Sequence, residues 1–212
     1  MGAYNENGSG QFWGAGSAMA NYIYEVGHLK ATPRTGWTLA GISKPESVAD
    51  HSFRTAVIGV ILACSEGVDP ARTAMLCLFH DTTETRLGDI PSVGKKYLRE
   101  SSDEVVADQT KGLPVGIAEM ISGLVQDYHA RSDREAQLAK DADKLECMAQ
   151  AIEYVEEGAV HAQSWIDALA GEVVSDSGIR LALALQSTPS SGWWRHFVEN
   201  YRSPDAEAVG RR

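Results

Sequence analysis

The feature that most limits what this chain can fold into is its punctuation. Start and stop signals recur at helix-sized intervals, and no segment alternates apolar and polar residues between hairpin turns. Ser47, with Asp50 three residues on, forms a capping-box pattern ahead of an apolar run that reaches Glu66 and stops at Gly67. Asp69 as N-cap and Pro70 at the first helical position open a second helix, for which Gly88 supplies the stop. A third starts at Ser132 with Glu135 three on, carries Leu138, Ala142, Leu145, Ala149 and Ile152 at helical spacing, and ends near Gly158. Weaker helical patterns cover roughly 18–29, 101–110, 114–129, 161–187 and 192–201. Together these predict an all-α fold, a single helical bundle.

A chain of 212 residues with 43% hydrophobic content can bury one sizeable core, so one domain is expected over residues 17–202. Gly2, Gly8, Gly10, Gly14 and Gly16 among polar neighbours leave residues 1–16 too poor in apolar surface to offset ordering, and a flexible tail is expected there and again at 203–212. Nineteen basic against 29 acidic residues give a net charge of −10, and no dense Lys/Arg run offers affinity for a phosphate backbone. Polymeric nucleic acid is therefore not an expected partner. The longest apolar stretches, Val57 to Cys64 and Ala74 to Phe79, are too short to span a bilayer, and the first residues lack a basic region followed by an apolar one. The expectation is a cytoplasmic protein with no membrane partner. Cys64, Cys77 and Cys147 each lie in an apolar helical context, which suits buried small hydrophobes in a reducing compartment.

The chemistry-bearing residues interrupt this pattern. His80 and Asp81 follow the apolar run Ala74 to Phe79, which places a polar pair in the interior or on a cleft floor. Such groups are costly there unless paired, hydrogen-bonded or bound to metal. Glu84, four after His80 and three after Asp81, overhangs the same side. His51 sits in the first turn after Ser47 and shares a face with Thr55, Ile58 and Leu62, as a core histidine or a ligand would. Asp143 lies at the margin of the stripe through Ala142 and Leu145 and reads as a ligand or a surface ion pair, while Asp141 reads as a solvated partner of a lysine. His28, His129, His161 and His196 have no second ligand at metal spacing. Two imidazoles and two carboxylates suit Mn, Fe, Co, Ni, Zn or Mg, but spacing alone does not bring them together.

Four segments in order, LKATPRTGW (29–37), KPESVADHSFR (44–54), LFHDTTETRLGDIP (78–91) and KDADKLE (140–146), resemble the HD-domain 5′-nucleotidase family, which includes the YfbR-like deoxynucleotidases and the HD domain-containing protein 2 group. The resemblance implies an HD-domain helical bundle that binds one divalent metal ion through His51, His80, Asp81 and Asp143 and releases phosphate from (deoxy)nucleoside 5′-monophosphates. It implies Glu84 as the proton-transfer residue, Asp89 as a second catalytic group, and a homodimer, for which Trp193 and Trp194 offer apolar contact material. Arg34, Lys95 and Lys96 are the expected phosphate contacts, Ser92 a further substrate-binding residue, and Trp37 a flat wall against the sugar. In YfbR-like relatives an Arg directly precedes the Trp; here Gly36 does, and Arg34 lies three residues before Trp37, in the PRTGW form of the other group. An HD phosphohydrolase acting on nucleoside triphosphates or a nucleotide-analogue intermediate is the alternative enzyme reading. A non-catalytic nucleotide-binding protein is the alternative from another class.

Overall fold

A computed structural model describes residues 14–98 and 101–200. Among the described residues the chain is a helical bundle with no β-strand, its one extended pairing being the isolated bridge of Pro33 with Ser47. In chain order the helices are α1 (Gly16–Gly27), α2 (Val48–Glu66), α3 (Pro70–Phe79), α4 (Glu84–Leu87), α5 (Ser92–Lys95), α6 (Ser102–Thr110), α7 (Val115–Ala130), α8 (Arg134–Glu156), α9 (Gln163–Ala170), α10 (Asp176–Ser187) and α11 (Gly192–Asn200). Most of the expected N-terminal tail and the expected tail at 203–212 lie outside the described residues.

The strongest start signals act as written. Ser47 Oγ accepts from the Asp50 amide and the Asp50 carboxylate accepts from the Ser47 amide, a reciprocal capping box that opens α2. Gly67 ends α2 at φ +71, and the Asp69 carboxylate then caps α3 at Ala71 and Arg72. α2 is long and apolar enough to cross a membrane by length and composition alone (mean hydropathy 1.2), yet half of that window is buried, against α3 and α8.

Three boundaries differ from expectation. α3 does not run on to Gly88; it stops at Phe79, and a tight turn through Thr83 leads into α4. The His80 ring and the Thr82 hydroxyl bond the carbonyls of Cys77 and Phe79, which amides one turn on would take in a continuing helix. The N-cap of α8 is Asp133, which accepts from Ala136, rather than Ser132. The pattern at 161–187 divides into α9 and α10, joined by a turn in which Val173 and Ser175 are buried.

That turn corrects the reading of Asp141. Its carboxylate is 1% exposed and accepts from the amides of Val174 and Ser175, tying α8 to the start of α10. The approach is so close that a Cβ on Gly178 would meet Val173 Cγ1 at 2.6 Å and Asp141 Oδ2 at 3.1 Å. Central in the bundle, α8 packs on α2, α3, α7, α9 and α10, with Leu138, Ala142, Leu145 and Met148 fully buried. A smaller core of Val106, Leu113, Ile121 and Val125 joins α6 to α7. Of the cysteines only Cys77 is buried; Cys64 is exposed and Cys147 half-buried, so the expectation of three buried hydrophobes holds for one.

Candidate active site

Three helices bring four ligand candidates together, His51, His80 and Asp143 in one compact group with Asp81 beside it. The first turn of α2 carries His51, the end of α3 gives way to His80 and Asp81, and mid-α8 carries Asp143. His51 Nε2 lies 3.2 Å from Asp143 Oδ1 and 3.8 Å from Asp81 Oδ2. His80 Nε2 lies 3.0 Å from Asp81 Oδ2 and 3.9 Å from Asp143 Oδ1. Despite this proximity neither Nε2 atom makes a hydrogen bond of acceptable geometry, although both are buried.

The outer ring nitrogens explain why. His80 Nδ1 is hydrogen-bonded to the Cys77 carbonyl at 2.6 Å, and His51 Nδ1 to the fully buried Glu146 carboxylate. A carbonyl accepts only, so Nδ1 of His80 carries the proton and its Nε2 presents a lone pair inward; the carboxylate selects the same tautomer in His51. Burial opposes ionisation of Asp81 and Asp143; without a cation, the facing histidines hold both carboxyls below the usual range only by carrying a second proton on Nε2, with the Arg34 guanidinium adding to the effect. A metal ion would take the place of those inner protons. Two inward lone pairs facing two carboxylates form a donor set that fits a divalent cation and leaves orphaned polar atoms without one.

Around this point opens a cavity of about 510 Å³, within the size range of small-molecule sites. Glu84, at the start of α4, lines it. Burial first, and then the Asp81 and Asp89 carboxylates, push the Glu84 carboxyl up to about 9, and its Oε2 is buried without a hydrogen-bond partner. Arg34 reaches both Asp81 (3.4 Å) and Asp89 (3.2 Å), and its other nitrogen donates to Cys147 Sγ at 3.2 Å. Asp89, which also lines the cavity, accepts from the Thr35 amide at 2.6 Å, which fastens its carboxylate to the Arg34 loop.

Trp37 is seated differently from expectation. Only 3% exposed, it stacks edge-on against Tyr154, lies 5.6 Å from the Trp165 ring and donates from Nε1 to Glu46. It is a core anchor that also lines the cavity. Ser92 and Lys95 line the cavity; Lys96 does not, and rests instead over the Tyr97 ring.

Several site residues escaped the sequence reading. Glu146 was legible one turn beyond Asp143 in KDADKLE; it receives His51 Nδ1 and pairs with Arg54, which Glu153 and Gln150 hold in turn. Tyr128, whose hydroxyl donates to Asp143 at 2.8 Å, and His129 line the cavity from α7, where no motif marks them. Lys140 and Cys147 line it from α8.

The chain matches the HD domain family over residues 26–177. It is 30% identical over 179 residues to "5′-deoxynucleotidase HDDC2" of Mus musculus, covering 82% of this chain and 89% of that protein. It is 36% identical over 136 residues to "5′-deoxynucleotidase hdd1" of Schizosaccharomyces pombe, covering 61% and 68% respectively. Among solved structures it resembles a "predicted metal-dependent phosphohydrolase" from Magnetospirillum magnetotacticum MS-1, with a TM-score of 0.61 and 25% identity over 85% of this chain and 94% of the other.

Proposed function

Because the chain belongs to the HD-domain 5′-deoxynucleotidase family, we propose that it is a phosphoric monoester hydrolase releasing phosphate from 2′-deoxynucleoside 5′-monophosphates, with one divalent ion held by His51, His80, Asp81 and Asp143. The observation that carries this reading is the pair of buried, unpartnered Nε2 atoms turned toward two carboxylates.

When bound, the ion supplies Lewis-acid polarisation of the phosphoryl group and a lowered pKa for water. The chain's own residues do the rest. Glu84, whose carboxyl is pushed up to about 9 in the metal-free chain by burial and then by the Asp81 and Asp89 charges, serves as the group that gives a proton to the leaving 5′-oxygen. Asp89, on the cavity lining, fixes Arg34 and serves as the second catalytic group, and Arg34, held at the cavity wall, orients the phosphate. Ser92 and Lys95 border the mouth. The remainder of the proposal is one HD domain over 17–202, cytoplasmic and dimeric, with Trp193 and Trp194 exposed on α11 as contact material.

The test is a phosphate-release screen of the purified protein over nucleoside mono-, di- and triphosphates with Mn, Co, Ni, Zn and Mg. Metal-dependent release from deoxynucleoside monophosphates is expected. Release from triphosphates alone, or from no nucleotide with any ion, would overturn the reading.

A further inference from the structure

The cavity holds a cation that no carboxylate pairs with directly, although the nearby Asp143 and Asp81 charges favour its protonated form. Lys140 lies on α8 three residues before Asp143, so the two side chains leave the helix on the same side. Its ammonium sits 3.7 Å from the centroid of the Tyr128 ring, whose hydroxyl donates to Asp143. Among the described residues no carboxylate comes within ion-pair distance of it and no hydrogen bond reaches it.

The other cations of the cavity are placed differently. Arg34 is committed to Asp81 and Asp89, and Lys95 stands on the exposed rim. Lys144, one turn along from Lys140, finds the carbonyl and carboxylate of Glu172. Among the described cations of the cavity, Lys140 is the half-buried one with no hydrogen bond to a protein group, and burial pushes its amine down from the usual lysine value. A ring face attracts an ammonium but accepts none of its hydrogen bonds in the way an oxyanion does. With Asp81 and Asp143 turned to the ligand cluster, a cation so placed can take an oxyanion as its hydrogen-bonding partner.

We propose that this anion is the substrate's phosphate: the Lys140 ammonium binds a non-bridging phosphoryl oxygen of the nucleotide and of the phosphate released from it. The Tyr128 ring fixes the lysine stem, and the hydroxyl of the same ring fixes Asp143, so one side chain sets the distance between phosphate cation and ligand carboxylate. The proposal rests on the phosphomonoesterase reading, and the contact is a binding one that acts before and after bond cleavage.

The test uses full-length, metal-loaded protein in three forms: wild type, Lys140→Met and Lys140→Arg. Metal per chain, Tm, the Kd for inorganic phosphate by calorimetry, and KM and kcat for dAMP are measured on each. Lys140→Met should keep its metal and its Tm, since it removes an unpaired cation, while Kd for phosphate and KM both rise by about tenfold or more. Lys140→Arg should recover part of that loss. Unchanged phosphate affinity in Lys140→Met would overturn the assignment, as would a fall in metal content or Tm that accounts for the loss and that arginine does not repair. Wild-type protein that binds phosphate but hydrolyses no nucleoside monophosphate would instead sink the functional reading, with the phosphate titration still deciding the role of Lys140.

Discussion

His51 is held between two acidic residues of the same helix: Asp143 faces its Nε2 at 3.2 Å, and Glu146, three residues further along α8, binds its Nδ1. The inner acid is a candidate ligand and the outer one sets the tautomer that keeps Nε2 free to bind.

Glu146→Gln should therefore weaken metal binding by about 10–100-fold while the protein still folds. Competition with a chelator of known affinity measures it. Wild-type metal affinity in the variant would mean that the His51 tautomer is fixed by packing alone. His80→Ala, which removes a donor outright, should lose the metal and the activity together, as read by elemental analysis.

Glu84→Ala should keep the metal and lose about a hundredfold or more in kcat, the usual size of a proton-transfer contribution. The same group makes a prediction about pH. Burial and neighbouring carboxylates raise its pKa from 4.5 to about 9, so the folded chain keeps a proton that the unfolded chain gives up above the lower value. In metal-free protein, stability should fall as pH rises from there toward 9, by at most about 1.4 kcal/mol per unit. Glu84→Gln should flatten that slope in denaturant titrations at pH 5 and pH 8; identical slopes would place Glu84 in a wetter environment.

Trp37→Ala should cost about 3–5 kcal/mol of stability, because the ring fills the core between Tyr154 and Trp165. Trp37→Phe keeps most of that volume and is the better probe of the sugar. Wild type should prefer dAMP to AMP in kcat/KM by up to about 10²-fold, the limit for excluding one hydroxyl with an apolar surface. No Asn or Gln side chain lines the cavity among the described residues, so the four common deoxynucleotides should be hydrolysed within about tenfold of one another. An unchanged dAMP/AMP ratio in Trp37→Phe would remove Trp37 from sugar discrimination.

The exposed Trp193 and Trp194 of α11 lead to the expectation of a two-fold dimer. Light scattering at micromolar concentration should report twice the 22.9 kDa chain mass. A monomer would leave this apolar helix without the role given to it.

What could be read in advance follows the range of the forces involved. The caps of α2 and α3 were legible because a capping box and an Asp-Pro start act within four residues. The four metal-ligand candidates were legible as residue types in an order that resembles a family, while their convergence needed the packing of α2, α3 and α8. The break at His80 was missed because it comes from side chains competing for carbonyls inside an apparently continuous apolar run. Asp141 was misjudged because its partners are amides 33 and 34 residues away. Arg34 was found as a cation, but nothing local told that Asp89 would hold it.

The joint between Asp141 and the start of α10 gives α8 the character of a lever with a loaded end. Asp141 and Asp143 leave that helix on opposite sides, one stapling a turn and the other reaching the metal-ligand cluster. A rigid helix cannot yield at one without moving the other. A methyl group added at Gly178, pressing on Asp141 at 3.1 Å and on Val173 at 2.6 Å, would thus be transmitted along α8 to Asp143 and Lys140. Damage to catalysis can begin on the far side of the bundle, at a residue that never meets the substrate.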